Sequence, residues 1–94
     1  MLTIIARPTV APERVEELKR AMLDLVAKTV REQGCLRYEL HQDNDQPNKF
    51  IFVECWENRE LWQQHMNGAA LESFKQKYWG GIVDFELQEL QKIS

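Results

Sequence analysis

The spacing of apolar residues changes along this chain, and this change of period constrains the fold more than any other sequence feature. Over residues 2–10 the side chains alternate in polarity, which is the two-residue period of a strand, and Pro8 lies near its end, where a missing N–H is tolerated. Over residues 12–33 apolar residues recur at intervals of three and four, which predicts a long helix with one buried face. That face consists of Val15, Leu18, Met22, Leu25 and Thr29.

The predicted helix carries signals at both of its ends. Pro12 suits the first helical turn, and the acidic residues after it lie near the positive end of the helix dipole. Gly34 suits the C-terminal stop because glycine readily adopts a left-handed backbone conformation. These signals predict that the helix occupies residues 12–33.

Two alternating segments, CLRYELHQ and KFIFVECW, flank the turn-forming sequence DNDQPN and predict a hairpin. We expect Cys35 to lie opposite Cys55, which makes Tyr38 face Phe52. The two strands then share an apolar face, on which Glu54 is the only acid. The apolar residues of that face are Leu36, Tyr38, Leu40, Phe50, Phe52 and Trp56.

The last third of the chain predicts a broken helix and a final strand. Asn58 is a suitable N-cap for the helix RELWQQHM, and Asn67-Gly68 separates it from a second helix, AALESFKQKYW. Gly80-Gly81 ends that helix, and the strand IVDFELQEL follows, with Val83, Phe85 and Leu87 expected on one side. The order of elements predicts one domain over residues 1–94, with a ferredoxin-like βαββαβ fold of the α+β class.

Such a fold leaves one face of its antiparallel sheet without helices. Ile5, Ile51 and Val53 are expected on this face, together with charged residues. A chain of 94 residues buries only about 60–65% of its unfolded surface, so a partner would add stability. We therefore expect a homodimer in which a second copy covers this face.

Composition excludes some classes of partner and site. The net charge is −3 and no basic run occurs, so we expect no nucleic-acid partner and no binding to anionic membranes. The first ten residues lack a charged n-region and are too short to span a bilayer, which predicts a cytoplasmic protein. Two cysteines are too few for a disulfide scaffold, and their spacing does not form a zinc site, so we expect free thiols and no metal.

Three sequence features together resemble the antibiotic biosynthesis monooxygenase domain family. They are the Gly-x-x-x-Tyr of Gly34 and Tyr38, the Glu-x-Trp of Glu54 and Trp56, and then His65. The resemblance covers nearly the whole chain. It implies a small dimeric α/β-barrel protein, and the family includes cofactor-free oxygenases of quinols and anthrones. The implied partners are a small aromatic substrate and dioxygen, with no metal or flavin.

The resemblance also implies a mechanism and a set of site residues. The substrate loses a proton, its anion reduces dioxygen, and the radical pair recombines at carbon, so the protein must supply a base and a dry apolar slot. His65 is the predicted base or hydrogen-bond partner, because imidazole titrates near neutral pH. Glu54 is predicted either as a second proton acceptor or as one member of an ion pair, at the sheet edge or across a subunit boundary. The predicted substrate-binding walls are Phe52, Trp56, Trp62, Phe74 and Tyr78.

The chain departs from its relatives at two positions. Relatives often carry a second histidine five residues after the position of His65, and here that residue is Ala70. Relatives that degrade heme place an iron-ligating histidine ten residues after the same position, and here it is Lys75. A lysine is a poor heme ligand at neutral pH, so the sequence argues against heme breakdown.

Two other functions fit the same scaffold. One is an isomerase that moves protons on a small carbonyl compound, and the other is a non-catalytic small-molecule-binding or stress-associated barrel. A packing role for His65 and for the tryptophans remains the alternative to each site assignment, since a pocket wall can also be part of the core. Oxygen uptake separates the oxygenase from the other two functions.

Overall fold

A computed structural model describes residues 1–94, with helices packed on one face of a four-stranded antiparallel sheet. The strands lie in the order β2-β3-β1-β4, so the predicted ferredoxin-like α+β fold is confirmed. No helix is both long enough and apolar enough to cross a lipid bilayer. The elements are β1 (Leu2–Val10), α1 (Val15–Thr29), β2 (Cys35–Gln42), β3 (Phe50–Trp56), α2 (Arg59–Met66), α3 (Ala69–Tyr78) and β4 (Ile82–Leu90), with 3₁₀ turns at Pro12–Arg14 and Trp79–Gly81.

The helix α1 buries the predicted face but ends earlier than predicted. Four of the five predicted residues, Leu18, Met22, Leu25 and Thr29, are buried against the sheet. The helix stops at Thr29 because the backbone amides after Val30 bond carbonyls only three residues back, as in the bond from the Glu32 amide to the Thr29 carbonyl at 2.9 Å. The segment after the helix therefore turns back toward the sheet and ends at Gly34.

The hairpin of β2 and β3 forms with a different register from the predicted one. Tyr38 lies opposite Glu54 rather than Phe52, and Cys35 lies opposite Trp56 rather than Cys55. The register irregularity between Cys35 and Arg37 is a β-bulge, which inserts an extra residue into β2. The main part of the hairpin is shifted by two residues, an even number, so Tyr38 still faces the helices. Leu36 lies in the bulge and is 52% exposed, so its predicted place on the apolar face was wrong.

The edge strand β4 also has an irregular register. Its partner β1 pairs Thr9 with Asp84 but Val10 with Ile82, so Val83 is skipped. Val83 is consequently 62% exposed, and its predicted place beside Phe85 and Leu87 was wrong. Pairing of Phe85 with Pro8 and of Leu87 with Ala6 turns these two side chains toward the helices, where they line a cavity.

The other face of the sheet carries no helix and mixes apolar with charged side chains. Ile5 pairs with Val53 at its centre, and Ile51 beside them is 36% exposed. Arg37 and Glu39 form an ion pair across 2.9 Å on β2. We call this surface the open sheet face.

Candidate functional site

A cavity of about 330 Å³ lies between the sheet and the three helices. This volume is in the range of small-molecule sites. Titratable side chains in the wall are few: Glu54, His65, Lys75 and the phenol of Tyr38. No group of three or more His, Cys, Asp or Glu side chains is placed to hold a metal ion. The apolar lining comes from Ala6, Pro8, Met22, Leu25, Phe52, Met66, Leu71, Phe74, Trp79, Ile82, Phe85 and Leu87.

His65 lies on the inner side of α2 and is only 3% exposed. The helix starts where predicted, because the Asn58 side chain accepts a hydrogen bond of 2.9 Å from the Leu61 amide. His65 Nδ1 donates a hydrogen bond of 2.8 Å to Oε1 of Glu32, in the turn after α1. A carboxylate only accepts, so the ring proton is assigned to Nδ1, which leaves the lone pair on Nε2. Nε2 makes no hydrogen bond to the protein and is the ring nitrogen left for a ligand.

Two aromatic side chains contact the imidazole, and a third packs against one of them. The His65 ring stacks on Trp56, with centroids 4.9 Å apart and planes at 29°. Tyr38 presents its ring edge-on to the imidazole at 5.4 Å, and it also contacts Phe52 at 5.4 Å. Such contacts fix the orientation of the ring in addition to burying its surface. We call Tyr38, Phe52, Trp56 and His65 the aromatic cluster.

Burial sets the protonation of two members of the aromatic cluster. Burial lowers the pKa of His65, although the hydrogen bond to Glu32 opposes this change. The imidazole is therefore neutral at pH 7 and can accept a proton. Burial, together with the nearby Glu54, raises the pKa of the Tyr38 phenol far above its usual range, so Tyr38 keeps its proton and can donate a hydrogen bond.

Glu54 is a buried carboxyl group on the central strand β3, 4% exposed. Its Oε1 accepts a hydrogen bond of 2.9 Å from Trp56 Nε1, and no cation lies within ion-pair distance. An ion pair of Glu54 within the chain is therefore absent, because β3 lies inside the sheet and no base reaches it. An ion pair across a subunit boundary stays a prediction. Burial raises the pKa of Glu54 to about 7, against the opposing effect of the Trp56 hydrogen bond. Trp56 thus contacts His65 through the face of its ring and Glu54 through its N–H.

Glu54→Gln is expected to remove a pH-dependent loss of stability. The ordinary pKa of 4.5 is raised to about 7 in the folded chain, so the unfolded chain releases this proton first as the pH rises. At about 1.4 kcal/mol per pKa unit, ionisation of Glu54 lowers the free energy of unfolding of the wild type by up to about 3 kcal/mol between pH 4.5 and 8. The variant lacks this loss.

Urea unfolding at pH 5 and pH 8 measures the effect, with the exposed Glu60→Gln as the matched control. The difference in unfolding free energy between Glu54→Gln and the wild type should grow in favour of the variant as the pH rises. Parallel pH profiles for the wild type and Glu54→Gln would contradict a raised pKa at this position.

The structure brings only part of the predicted wall together. Of the five predicted wall residues, Phe52 and Phe74 line the cavity. The other three, Trp56, Trp62 and Tyr78, do not. Trp56 is fully buried behind His65, which covers its ring. Trp62 is buried beneath the guanidinium of Arg59, 5.8 Å from its ring centroid. Tyr78 packs on Phe74 at 5.6 Å and lines a separate groove between α1 and α3.

Three polar residues of the site, Glu32, Lys75 and Tyr38, had not been identified as site residues from the sequence. Glu32 lies in a turn 33 positions from His65, and nothing in the local pattern indicates their contact. Lys75 lines the cavity from α3, although the sequence had indicated only that it is not a heme ligand. Tyr38 was placed on the correct face, and its position in the Gly-x-x-x-Tyr pattern was the signal that could have identified it.

Comparison with known proteins gives a family match. The model of the family described as antibiotic biosynthesis monooxygenase matches residues 1–77. An uncharacterized protein of Synechocystis, sll1783, is 28% identical over 68 residues. That match covers 72% of this chain but only 46% of the relative, so the chain spans about half the length of that protein.

Solved structures share the fold over the whole chain. PA3566 from Pseudomonas aeruginosa is 31% identical, with a TM-score of 0.93 over 99% of this chain and 94% of that one. A crystal structure described as an antibiotic biosynthesis monooxygenase is 25% identical, with a TM-score of 0.94 and full coverage of both chains. A protein from Nitrosomonas europaea is 19% identical with the same score and full coverage of both chains, a likeness that shows the fold alone.

Proposed function

The chain belongs to the antibiotic biosynthesis monooxygenase family, and from this premise we propose that it is a cofactor-free monooxygenase. Its substrate is a quinol- or anthrone-like aromatic, oxidised with dioxygen by a single domain of residues 1–94. The observation that carries the proposal is the buried imidazole of His65. This ring faces an apolar cavity, and its Nδ1 is held by Glu32 at 2.8 Å.

The first step is removal of a proton from the substrate. Nε2 of His65 accepts the proton of a phenol, or of the carbon acid of an anthrone, and the ring becomes an imidazolium. Glu32 stabilises that cation through Nδ1–H and keeps the ring in one tautomer, so Glu32 is a positioning residue. The apolar lining excludes water, which strengthens the hydrogen bonds of the site to the substrate anion.

The oxidation that follows needs no redox group of the protein. The substrate anion passes one electron to dioxygen, and the two radicals combine to form a carbon–oxygen bond. The resulting hydroperoxide of an anthrone-like substrate loses water and leaves a carbonyl, so one oxygen atom enters the product and the other leaves as water. His65 returns its proton to the departing oxygen. Tyr38 and the protonated form of Glu54 line the same cavity and donate hydrogen bonds to the substrate oxygens in this proposal.

Oxygen consumption with an anthrone or a naphthohydroquinone tests the proposal. The rate with protein should exceed autoxidation in matched buffer, and anthrone oxidised under ¹⁸O₂ should contain one labelled oxygen atom by mass spectrometry. A rate equal to autoxidation, with unlabelled product, would refute the oxygenase.

A second candidate function is isomerisation of a small carbonyl compound, and two proton-handling groups in one cavity favour it. Glu54, with a pKa near 7, and His65 both line the wall, so one could remove a proton while the other returns it. Exchange of deuterium from the solvent into a hydroxyketone, without oxygen uptake, would support this function over the oxygenase.

We further propose a homodimer formed through the open sheet face. The support is the exposure of Ile51 at 36% and Leu90 at 41% on a face that no helix covers, in a chain of 94 residues, which buries a smaller share of its unfolded surface than a larger domain does. Both cysteines are free thiols, and the reducing cytoplasm is the compartment we propose.

The expected mass by light scattering is that of two 11.1 kDa chains. Ile51→Glu should dissociate the dimer by placing a charge in the interface. Leu23→Glu on the outer side of α1, at a residue 49% exposed, should not. A wild type that scatters as a monomer at micromolar concentration would contradict this assembly.

A further inference from the structure

The cavity has a polar end inside the protein and a cationic group at its rim. Tyr38, Glu54 and His65 are each less than 7% exposed and define the inner end. Lys75, Trp79 and Phe85 line the same cavity but are exposed, so they define the rim. The rings of Trp79 and Phe85 contact each other at 5.3 Å, which makes this rim aromatic as well as cationic.

Lys75 has no partner of opposite charge. The chain contains 15 acidic residues, and several of its basic residues form ion pairs, including Lys28 with Asp24 at 2.9 Å. No carboxylate lies within ion-pair distance of Lys75, although Glu72 is one turn before it on α3. Glu72 instead faces Gln76, at a distance of 3.5 Å. The ammonium group is therefore free to bind an anion at the rim.

We propose that the cavity selects hydroxylated aromatic compounds that carry an anionic group, a carboxylate in the simplest case, at the end opposite the hydroxyl. The hydroxyl binds His65 inside the cavity, the rings occupy the apolar middle, and the carboxylate pairs with the ammonium of Lys75. Trp79 and Phe85 cover the ring surface next to that carboxylate. The inference rests on the proposed use of this cavity as the substrate site and adds the charge and the shape of the substrate.

Equilibrium binding of redox-inert probes tests the inference without relying on turnover. The probes are 6-hydroxy-2-naphthoate, with its two groups at opposite ends, neutral 2-naphthol, and 3-hydroxy-2-naphthoate, with both groups at one end. The wild type should bind the first probe at least tenfold more tightly than either of the others, by isothermal titration calorimetry. A hydrogen-bonded charge pair is typically worth about a tenfold to hundredfold difference in affinity.

Two lysine variants separate a specific contact from bulk charge. Lys75→Gln should reduce affinity for 6-hydroxy-2-naphthoate by about 10–100-fold and leave 2-naphthol unchanged. Lys77→Gln, two residues further along the same helix and outside this cavity, should change neither. Equal affinity of the wild type for charged and neutral probes, no binding of any probe, or equal losses in both variants would overturn the inference.

The outcome is independent of the proposed chemistry. Binding that depends on Lys75, in a protein that consumes no oxygen with quinols or anthrones, would retain the ligand class and reject the oxygenase. Oxygenase activity on neutral quinols, with no preference for the charged probe, would retain the oxygenase and reject the ligand class.

Discussion

His65→Gln is expected to lower kcat for an anthrone or quinol substrate by about 10²–10⁴-fold, the usual contribution of a general base. The amide cannot accept a proton at neutral pH, so formation of the substrate anion loses its base. Glutamine is a better test than alanine, because His65 is 3% exposed and stacks on Trp56 at 4.9 Å. Alanine would open a void under that ring and lower the free energy of unfolding as well.

The chain offers a matched control, since it contains only one other histidine. His41 is exposed on β2, where it faces Glu39 at 3.2 Å, far from the cavity wall. His41→Gln should therefore leave kcat unchanged. Steady-state oxygen uptake and urea unfolding, measured on the same preparations, distinguish lost chemistry from lost folding. An unchanged kcat per folded His65→Gln protein would remove the imidazole from the mechanism.

Gly34→Ala is expected to lower the free energy of unfolding by about 2–5 kcal/mol. Gly34 has a φ of 84°, which costs a residue with a Cβ about 1–2 kcal/mol. The added Cβ would also lie 2.7 Å from Cβ of Leu61 on α2, and overpacking of this kind typically costs about 1–3 kcal/mol more. Because the Gly34 carbonyl accepts a 2.9 Å hydrogen bond from the Glu57 amide, relief of the overlap would strain the start of α2.

Gly80→Ala is the control for that substitution. A Cβ at position 80 would meet no atom within 4 Å, and its backbone does not have a positive φ. We expect the free energy of unfolding of the control to lie within about 0.5 kcal/mol of that of the wild type. Equal effects of the two alanines on urea unfolding would show that neither the backbone angle nor the contact with Leu61 matters.

The elements and their order were readable from the sequence because periodicity depends on which face of each element is buried. The period of three and four in α1 identified Leu18, Met22, Leu25 and Thr29 correctly. The bulge at Cys35–Arg37 was not readable, because an extra residue in one strand leaves the alternation after it intact. The end of α1 was predicted at residue 33 but lies at Thr29. Residues 30–33 carry no sequence signal that distinguishes tight turns from a continuing helix.

The candidate site was less predictable than the fold. The alternation of residues in β3 predicted that Phe52 and Trp56 share one face of the strand, with His65 on the helix above them. The stacking of the His65 ring on Trp56 agrees with that arrangement. The periodicity of one helix or strand indicates which side chains are buried, but it does not indicate which residues of other elements they contact. The Glu32–His65 hydrogen bond and the contribution of β4 to the cavity wall depend on how separate elements pack, so the sequence alone did not reveal them.

The strand order has a consequence for how this chain acquires its site in time. The first strand lies between β3 and β4, so Thr3 pairs with Leu90 near the other end of the chain. Contacts between residues so far apart in sequence close slowly, because a long loop must be ordered before they form. Glu32, Trp56 and His65, in contrast, lie within one continuous third of the sequence and can meet without β4.

The imidazole and the space that it faces should therefore form at different stages of folding. A chain with the β2–β3 hairpin and α2 in place but with β4 detached would hold His65 against Trp56 and would expose both to water. The cavity closes only when β4 supplies Ile82, Phe85 and Leu87. The cavity can therefore hold an apolar ligand only while β4 is paired with β1, and ligand binding should act mainly by slowing the detachment of β4 from β1.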